Sequence, residues 1–289
     1  MSSDALAPTR PLGPPRARAG RTFGTYRRVV LLLAVIAVFF FVWEMGVTLT
    51  GTLEIILPKP TSIYRALVSG FFGQPVTSRA SYVFHMQQSL SQILAGYVVG
   101  CTLGLLLAMV SVRFAVVEFV LRPFVVALQS MPKIALAPVL IIWFGLGFNS
   151  KFMLVILATF FPLFVNGVTG FKSVEVGPLR MMRSFGASPR QIFTKLTFPT
   201  ALPFIFAGLE IAMVHAITSG IAAEFLGGQR GLGTMMLIMQ QIVDVPGMFS
   251  VLIILAFIGW LLSMLLAFLR RRIVYWAPEQ RARGEAKQS

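Results

Sequence analysis

The sequence predicts an all-α integral membrane protein of about six transmembrane helices, on three observations. Hydrophobic residues fill 56% of 289 positions and charged residues 12%, and the mean hydropathy is +0.81, too apolar for a soluble domain whose surface must be wetted. Several apolar runs reach the roughly 20 residues that a helix needs to cross a hydrocarbon core. The Lys and Arg residues flank those runs instead of lining one folded face, as expected where loops meet a membrane surface.

The first span runs from Val29 to about Thr48 and is almost unbroken until Glu44. The second covers about Leu90 to Val112. In it Gly96, Gly100, Gly104 and Ala108 recur at four-residue spacing, which puts small residues on one helical face where another backbone, in this chain or another, approaches closely. Cys101, the single cysteine, lies in the same span, excludes an internal disulfide and reads as a small packing residue. The third span begins near Phe114 and reaches about Phe144. Pro123, Pro132 and Pro138 interrupt it, so it is a kinked helix or two shorter pieces. The fourth covers Phe152 to Phe171, the fifth Pro203 to Phe225, and the sixth Phe249 to Leu269.

Orientation follows from the positive charges, which favour cytoplasmic loops. Arg10, Arg16, Arg18, Arg21, Arg27 and Arg28 precede span one, Arg113 follows span two, and Lys172, Arg180, Arg183, Arg190 and Lys195 lie between spans four and five. Arg270, Arg271, Arg272, Arg281, Arg283 and Lys287 follow span six, while the other side receives chiefly Lys59, Arg65, Arg79, Lys151 and Arg230. Both termini are therefore expected in the cytoplasm. Residues 1–28, rich in Pro and Arg, read as a disordered tail, 29–276 as the membrane domain and 277–289 as a second tail. The net charge of +15 faces membrane lipid, and no nucleic-acid partner is expected.

Ionisable groups inside a bilayer are costly, so each is a candidate for function. Glu44, Glu210, His215 and Glu224 qualify. Glu210 and His215 are five residues apart, a step that puts them on different faces. Glu44 and Glu210 read as structural or interfacial. His215 reads either as a pathway-lining residue or as a satisfied interior histidine. No phosphate loop, His-Glu-x-x-His or Gly-x-Ser-x-Gly pattern is present, so no catalytic, cofactor-binding or metal residue is assigned. The glycines at 227, 228, 231 and 233 come without a lysine and fall on the outer side, which does not suit a phosphate cradle. If transport is active, its energy comes from an ion gradient, with Glu210 or His215 carrying the coupling, or from another polypeptide. A membrane scaffold without transport is the third reading.

The polar island from Lys172 to Pro203 bears on that choice. Leu179, Met182 and Phe185 fall three apart and form one helical face. Gly186 suits a left-handed helix terminus. Ser188 then caps a second helix, with Pro189 at its first position and Gln191 placed to complete a capping box. Ile192, Phe193 and Leu196 supply its apolar face, and Pro199 is expected to end it before span five. Taken alone, such a hairpin fits the anionic inner leaflet and a protein dock equally well.

The spacing of this island resembles that in permease subunits of bacterial binding-protein-dependent ABC importers. Their cytoplasmic loop carries Glu-Ala-Ala, three residues, Gly, nine residues, Ile, one residue, Leu-Pro. Here Gly186 takes the glycine position, Ala187 to Lys195 are the nine residues, Leu196 takes the Ile position and Phe198-Pro199 that of Leu-Pro. Arg180, Met181 and Met182 stand where the family has Glu-Ala-Ala, so a base replaces the usual acid. The run from Met131 to Pro138 followed by Trp143-Phe144-Gly145 is similar to the nitrate, sulfonate and taurine branch. So are Ala223 to Gly228 with Gly231 to Gly233, and Arg271 to Trp276. The match spans roughly Leu57 to Trp276.

The resemblance implies a type I importer permease bundle in a bacterial inner membrane. It implies cytoplasmic ABC ATPase subunits, an extracytoplasmic solute-binding protein and a second permease copy as partners. Leu179, Arg180, Met181, Met182, Phe185, Gly186, Ala187, Ser188, Leu196 and Pro199 become the ATPase coupling loop. Glu224 with Gly227, Gly228, Gly231 and Gly233 becomes an outer gate or binding-protein contact, with a plain re-entrant turn as the alternative. The implied solutes are nitrate, alkanesulfonate, taurine or a pyrimidine-like compound.

Overall fold

The computed structural model describes residues 21–73, 75, 78 and 80–276, and every regular element among them is helical. Five helical stretches are long and apolar enough to cross a membrane, and a bent pair makes a sixth. Residues 1–20 of the tail expected at 1–28, the tail expected at 277–289, and Arg79 lie outside the described residues. Two compact units divide the chain, residues 1–53 and 54–289. The first holds α1 (Arg21–Thr50), so helix includes the last part of the segment expected as a tail. Its aliphatic and aromatic side chains from Val30 to Phe41 are exposed throughout, which suits a helix whose surroundings are lipid.

The second unit is built on α3 (Tyr82–Arg113), α6 (Phe148–Lys172) and α9 (Phe198–Gly227). The small face of α3 explains how they meet. A Cβ at Gly96 would lie 2.7 Å from Val155 Cβ, one at Gly100 2.1 Å from Thr159 Oγ1, and one at Gly104 2.5 Å from the Phe160 carbonyl oxygen. The glycine stripe is thus a contact inside the chain, against α6. Lipid tails are as apolar as these side chains, so close packing instead of water exclusion holds such a contact. Ile93, Tyr97, Val155, Leu163, Ala212 and Ala216 fill the space between the three helices. Tyr97 donates its hydroxyl to the Leu209 carbonyl at 3.1 Å, tying α3 to α9. Cys101 is a buried member of this core.

The broken third span is α4 (Ala115–Ser130), a 3-10 turn over Lys133–Leu136 and α5 (Ala137–Phe144), bent by 94°. The break falls at Met131-Pro132, where Met131 is extended, as a residue before proline prefers. Pro123 was expected to interrupt the helix, yet α4 continues through it. Pro138 lies in the first turn of α5, where a missing N–H leaves nothing unpaired. Ala137 and Leu140 seat α5 against Leu154 of α6 and Ala223 of α9.

The largest departure from expectation is at the start of span five. Pro199 does not end the preceding helix. α8 (Pro189–Ile192) passes through a π turn, Phe193–Thr197, directly into α9, giving an unbroken helix of 39 residues from Pro189 to Gly227. The π turn moves the ladder to wider spacing, with the Phe198 N–H donating to the Phe193 carbonyl, and Pro199 then occupies the first turn of α9. Pro203 lies inside α9, not at its start.

Two helices fall outside both the six expected spans and the polar island. The short helix α2 (Pro60–Phe72) buries Ile63 and Gly70, while α10 (Leu232–Gln241) buries Leu232, Met235 and Met239. Both pack with α11 (Val245–Ile273) through Val251 and Ile254. Tyr82 at the start of α3 joins this cluster by donating to Ser250 Oγ at 2.6 Å, and Ser250 donates on to the Gly247 carbonyl at 2.7 Å.

Candidate functional site

The polar island folds as α7 (Val176–Ser184), a tight turn and α8. The turn is built as the sequence suggests. Gly186 has φ +72°, its N–H donates to the Arg183 carbonyl at 3.0 Å, and the Ala187 N–H donates to the Met182 carbonyl at 3.0 Å. That pair of bonds closes α7 as a Schellman motif. Ser188 Oγ accepts from the Gln191 N–H at 3.3 Å and the Ser188 N–H donates to Gln191 Oε1 at 2.8 Å. The capping box is complete, so two helix ends are satisfied without help from outside the turn.

No residue from Lys172 to Thr200 is buried. Phe185 is 82% exposed and Met181 57%, while Leu179, Met182, Ala187, Leu196 and Pro199 are partly covered and Arg180, Gly186 and Ser188 are open. A rigid, self-capped turn that holds an aromatic ring in the open presents a surface for contact.

The glycine segment has the opposite character. Glu224 is 0% exposed. Its Oε1 accepts from Ser89 Oγ at 2.7 Å and from Gln92 Nε2, and its Oε2 accepts from the Gly233 N–H at 2.7 Å. Ser89 Oγ also accepts from the Leu232 N–H at 2.8 Å, and His85 Nδ1 accepts from the Gly231 N–H at 3.0 Å. Lys151, 4% exposed, donates from Nζ to the Arg230 carbonyl at 2.9 Å. Four consecutive residues, 230 to 233, are therefore held by side chains from α3, α6 and α9. The N–H groups of Leu232 and Gly233 are the free donors at the start of α10, where a carboxylate is electrostatically favoured.

The glycines are there for space. Gly231 has φ +128°, and a Cβ on it would lie 2.2 Å from the Glu224 carboxyl carbon. A Cβ on Gly228 would lie 2.0 Å from Thr234 Oγ1, one on Gly233 2.9 Å from Glu224 Cβ, and one on Gly227 2.5 Å from Ile141 Cδ1. Beyond this packed base, Gln229 and Arg230 are exposed, and the Arg230 guanidinium sits 5.6 Å from the centre of the Phe84 ring.

Other sequence candidates are not brought to these sites. Glu210 pairs with Arg270 of α11 at 3.3 Å. His215 is half-buried on α9, and its charged neighbour is Lys133. Among the described residues no group of three His, Cys, Asp or Glu is placed to hold a metal ion. A cavity of about 600 Å³ opens beside α4 and α6, with Val125, Phe164 and Val168 as walls and the Lys172–Glu118 ion pair on its lining. His85, Ser89, Gln92 and Lys151 were not singled out from the sequence. The signal for the first three was available: positions 85, 89, 92, 96, 100 and 104 lie on one helical face, so the polar trio extends the glycine stripe.

Residues 100–275 match the family described as the inner membrane component of binding-protein-dependent transport systems. The chain is 33% identical over 234 residues to the riboflavin transport system permease protein of Chloroflexus aurantiacus, covering 81% of this chain and 85% of that one. It is 31% identical over 239 residues to the formylaminopyrimidine transport permease protein of Halalkalibacterium halodurans, covering 83% and 92%. It is 29% identical over 253 residues to the taurine transport system permease protein of Escherichia coli, covering 88% and 92%. Among solved structures, an amino acid ABC transporter aligns with TM-score 0.54 at 15% identity, over 75% of this chain and 96% of that one. The methionine ABC transporter in an inward-facing form aligns with TM-score 0.51 at 19% identity, over 74% and 94%.

Proposed function

We propose, from the premise that this chain belongs to the family of binding-protein-dependent transport system inner membrane components, a specific division of labour for its two sites. The chain is a multi-pass inner-membrane permease of an ABC importer. ATP is hydrolysed on separate cytoplasmic subunits, which grip Leu179 to Pro199, with Phe185 and Met182 as the apolar contact and Gly186 and Ser188 holding its shape. A second permease copy completes the translocation pathway, and an extracytoplasmic binding protein delivers solute to the face that carries Gln229 and Arg230. Both termini lie in the cytoplasm. Closure of the ATPases moves the turn and switches the pathway between two access states.

One observation carries this reading: the self-capped turn exposes Phe185 at 82% on a segment with no buried residue. An aromatic ring held open by a complete Schellman turn and capping box serves contact with another protein better than it serves the fold of its own chain. The departure at Arg180 leaves the apolar part of that contact in place and reverses one charge, so the partner's groove is expected to place an acidic group opposite it.

The relatives transport riboflavin, a formylaminopyrimidine and taurine by name, chemically distinct solutes served by one membrane scaffold. Specificity accordingly belongs to the binding protein, and the solute here is a small polar compound of the sulfonate, taurine, nitrate or pyrimidine kind. The test is purification from native membranes together with uptake of labelled taurine, riboflavin and formylaminopyrimidine in vesicles supplied with the neighbouring binding protein. An ATPase subunit should co-purify, and Gly186→Asp should abolish uptake. Purification without any ATPase, combined with intact uptake in Gly186→Asp, would overturn the proposal.

A further inference from the structure

The two sites are joined by one element. The helix that begins at Pro189, immediately after the exposed turn, continues to Gly227 and carries Glu224 near its far end. At that end the 230–233 backbone has little freedom. Lys151 of α6 holds the Arg230 carbonyl, His85 and Ser89 of α3 hold the Gly231 and Leu232 N–H groups, and Glu224 of α9 holds the Gly233 N–H. Ser89 and Gln92 meet the same carboxylate, so Glu224 is the atom group through which α3, α9 and the turn are joined. A buried carboxylate needs its lone pairs satisfied, and here the donors from Ser89, Gln92 and Gly233 converge on it only while α3, α9 and the turn keep this arrangement.

We propose that Glu224, with His85, Ser89, Gln92 and Lys151, is a positioning cluster for transport: it clamps the Gln229–Arg230 tip to α9, so that displacement of the cytoplasmic turn is delivered to the outer mouth without slack. The residues touch neither nucleotide nor solute. They act through the backbone of the turn. This inference rests on the coupling reading above. It differs from a gate, because Glu224 stays buried and paired while the tip moves as one body with the helix.

The cluster can be tested without knowing the solute. Cys101, being buried, is replaced by alanine, Gln229→Cys is labelled with a nitroxide, and spectra are recorded on the complex with its ATPase, nucleotide-free and trapped with ATP and vanadate. In this parent the label should be immobile and should respond to nucleotide. In Glu224→Gln an NH2 group takes the place of one of the two acceptor oxygens, so either the Gly233 N–H or the Ser89 and Gln92 donors lose their acceptor, and the label should tumble at least about twofold faster and lose its nucleotide response. Adding Gln92→Glu should restore both, because the carboxylate introduced at 92 accepts from the amide at 224, whose oxygen is left for the Gly233 N–H. Ser89→Ala gives an independent loosening should Glu224→Gln fail to accumulate. An immobile label in both Glu224→Gln and Ser89→Ala would overturn the clamp, and a mobile label that still responds to nucleotide would overturn the transmission. Absence of an ATPase from the parent complex would instead sink the coupling reading, and the nucleotide-free comparison would still decide the clamp.

Discussion

A methyl group added at Gly177 and at Gly231 has very different consequences. Gly177 is in the first turn of α7 with nothing but its chain neighbours within 4 Å of an added Cβ, but Pro178 follows and disfavours helical backbone at a residue that carries a Cβ, so the gain from Gly177→Ala is offset and stability should change by less than about 1 kcal/mol. Gly231 combines φ +128° with a Cβ position 2.2 Å from the Glu224 carboxyl. Gly231→Ala should cost about 2 kcal/mol or more, seen as a lower thermal midpoint in detergent with loss of monodisperse protein. Gly186 stands between them, with φ +72° and open space. Gly186→Ala should cost about 1–2 kcal/mol, and Gly186→Asn, which tolerates that backbone better, should recover much of it on the same melting curve. The turn at Gly186 was legible because its signals are local: a glycine, a Ser-Pro pair and a Gln three residues after the cap. The clamp at Glu224 was not, because its side-chain partners Ser89 and Gln92 are 132 to 135 positions away, and only the shared face of His85, Ser89 and Gln92 hinted at it.

Pairs of helices carry the next set of consequences. On α3, Gly100→Ala forces a methyl into Thr159 Oγ1 and the Ile156 backbone, and overpacking of this kind should destabilise by about 1–3 kcal/mol. Gly46→Ala, in α1 with nothing within 4 Å, is the matched control in the same melting assay. The Glu210–Arg270 pair joins α9 to α11 with side chains 35% and 25% exposed. An ion pair of that exposure contributes at most about 1 kcal/mol, so Glu210→Gln should leave uptake ATP-dependent and within a few-fold of the parent. A large loss, or uptake driven by an imposed proton gradient in ATP-depleted vesicles, would favour ion coupling through Glu210. Element boundaries expose a limit of reading prolines as stops. Pro132 does break its helix, whereas Pro199 follows a π turn that has already shifted the hydrogen-bond ladder, and Pro123 is accommodated within α4. The residue type alone does not separate these cases, since the outcome depends on which carbonyls still find a donor. The helices α2 and α10 were missed because, at 13 and 10 residues, they are too short to read as spans. Packing with α11, not length, makes them elements.

At the scale of the whole molecule, alternation of long apolar runs with basic loops was enough to give the class of protein and its spans. The proposed orientation makes a direct prediction: a fluorescent protein fused after residue 289 should be bright, and alkaline phosphatase inserted between Gln229 and Arg230 should be active. The reverse pattern would place the turn at Gly186 outside and end its proposed role as the ATPase contact. The 39-residue helix extends roughly 58 Å at 1.5 Å per residue, against a hydrocarbon core of about 30 Å, so one end stands well clear of the bilayer. That end has no buried residue, which gives it an unusual freedom to diverge. Apart from the cap closed by Ser188 and Gln191, substitutions there should cost the fold little, so a permease of this design can vary that surface while its membrane bundle stays the same.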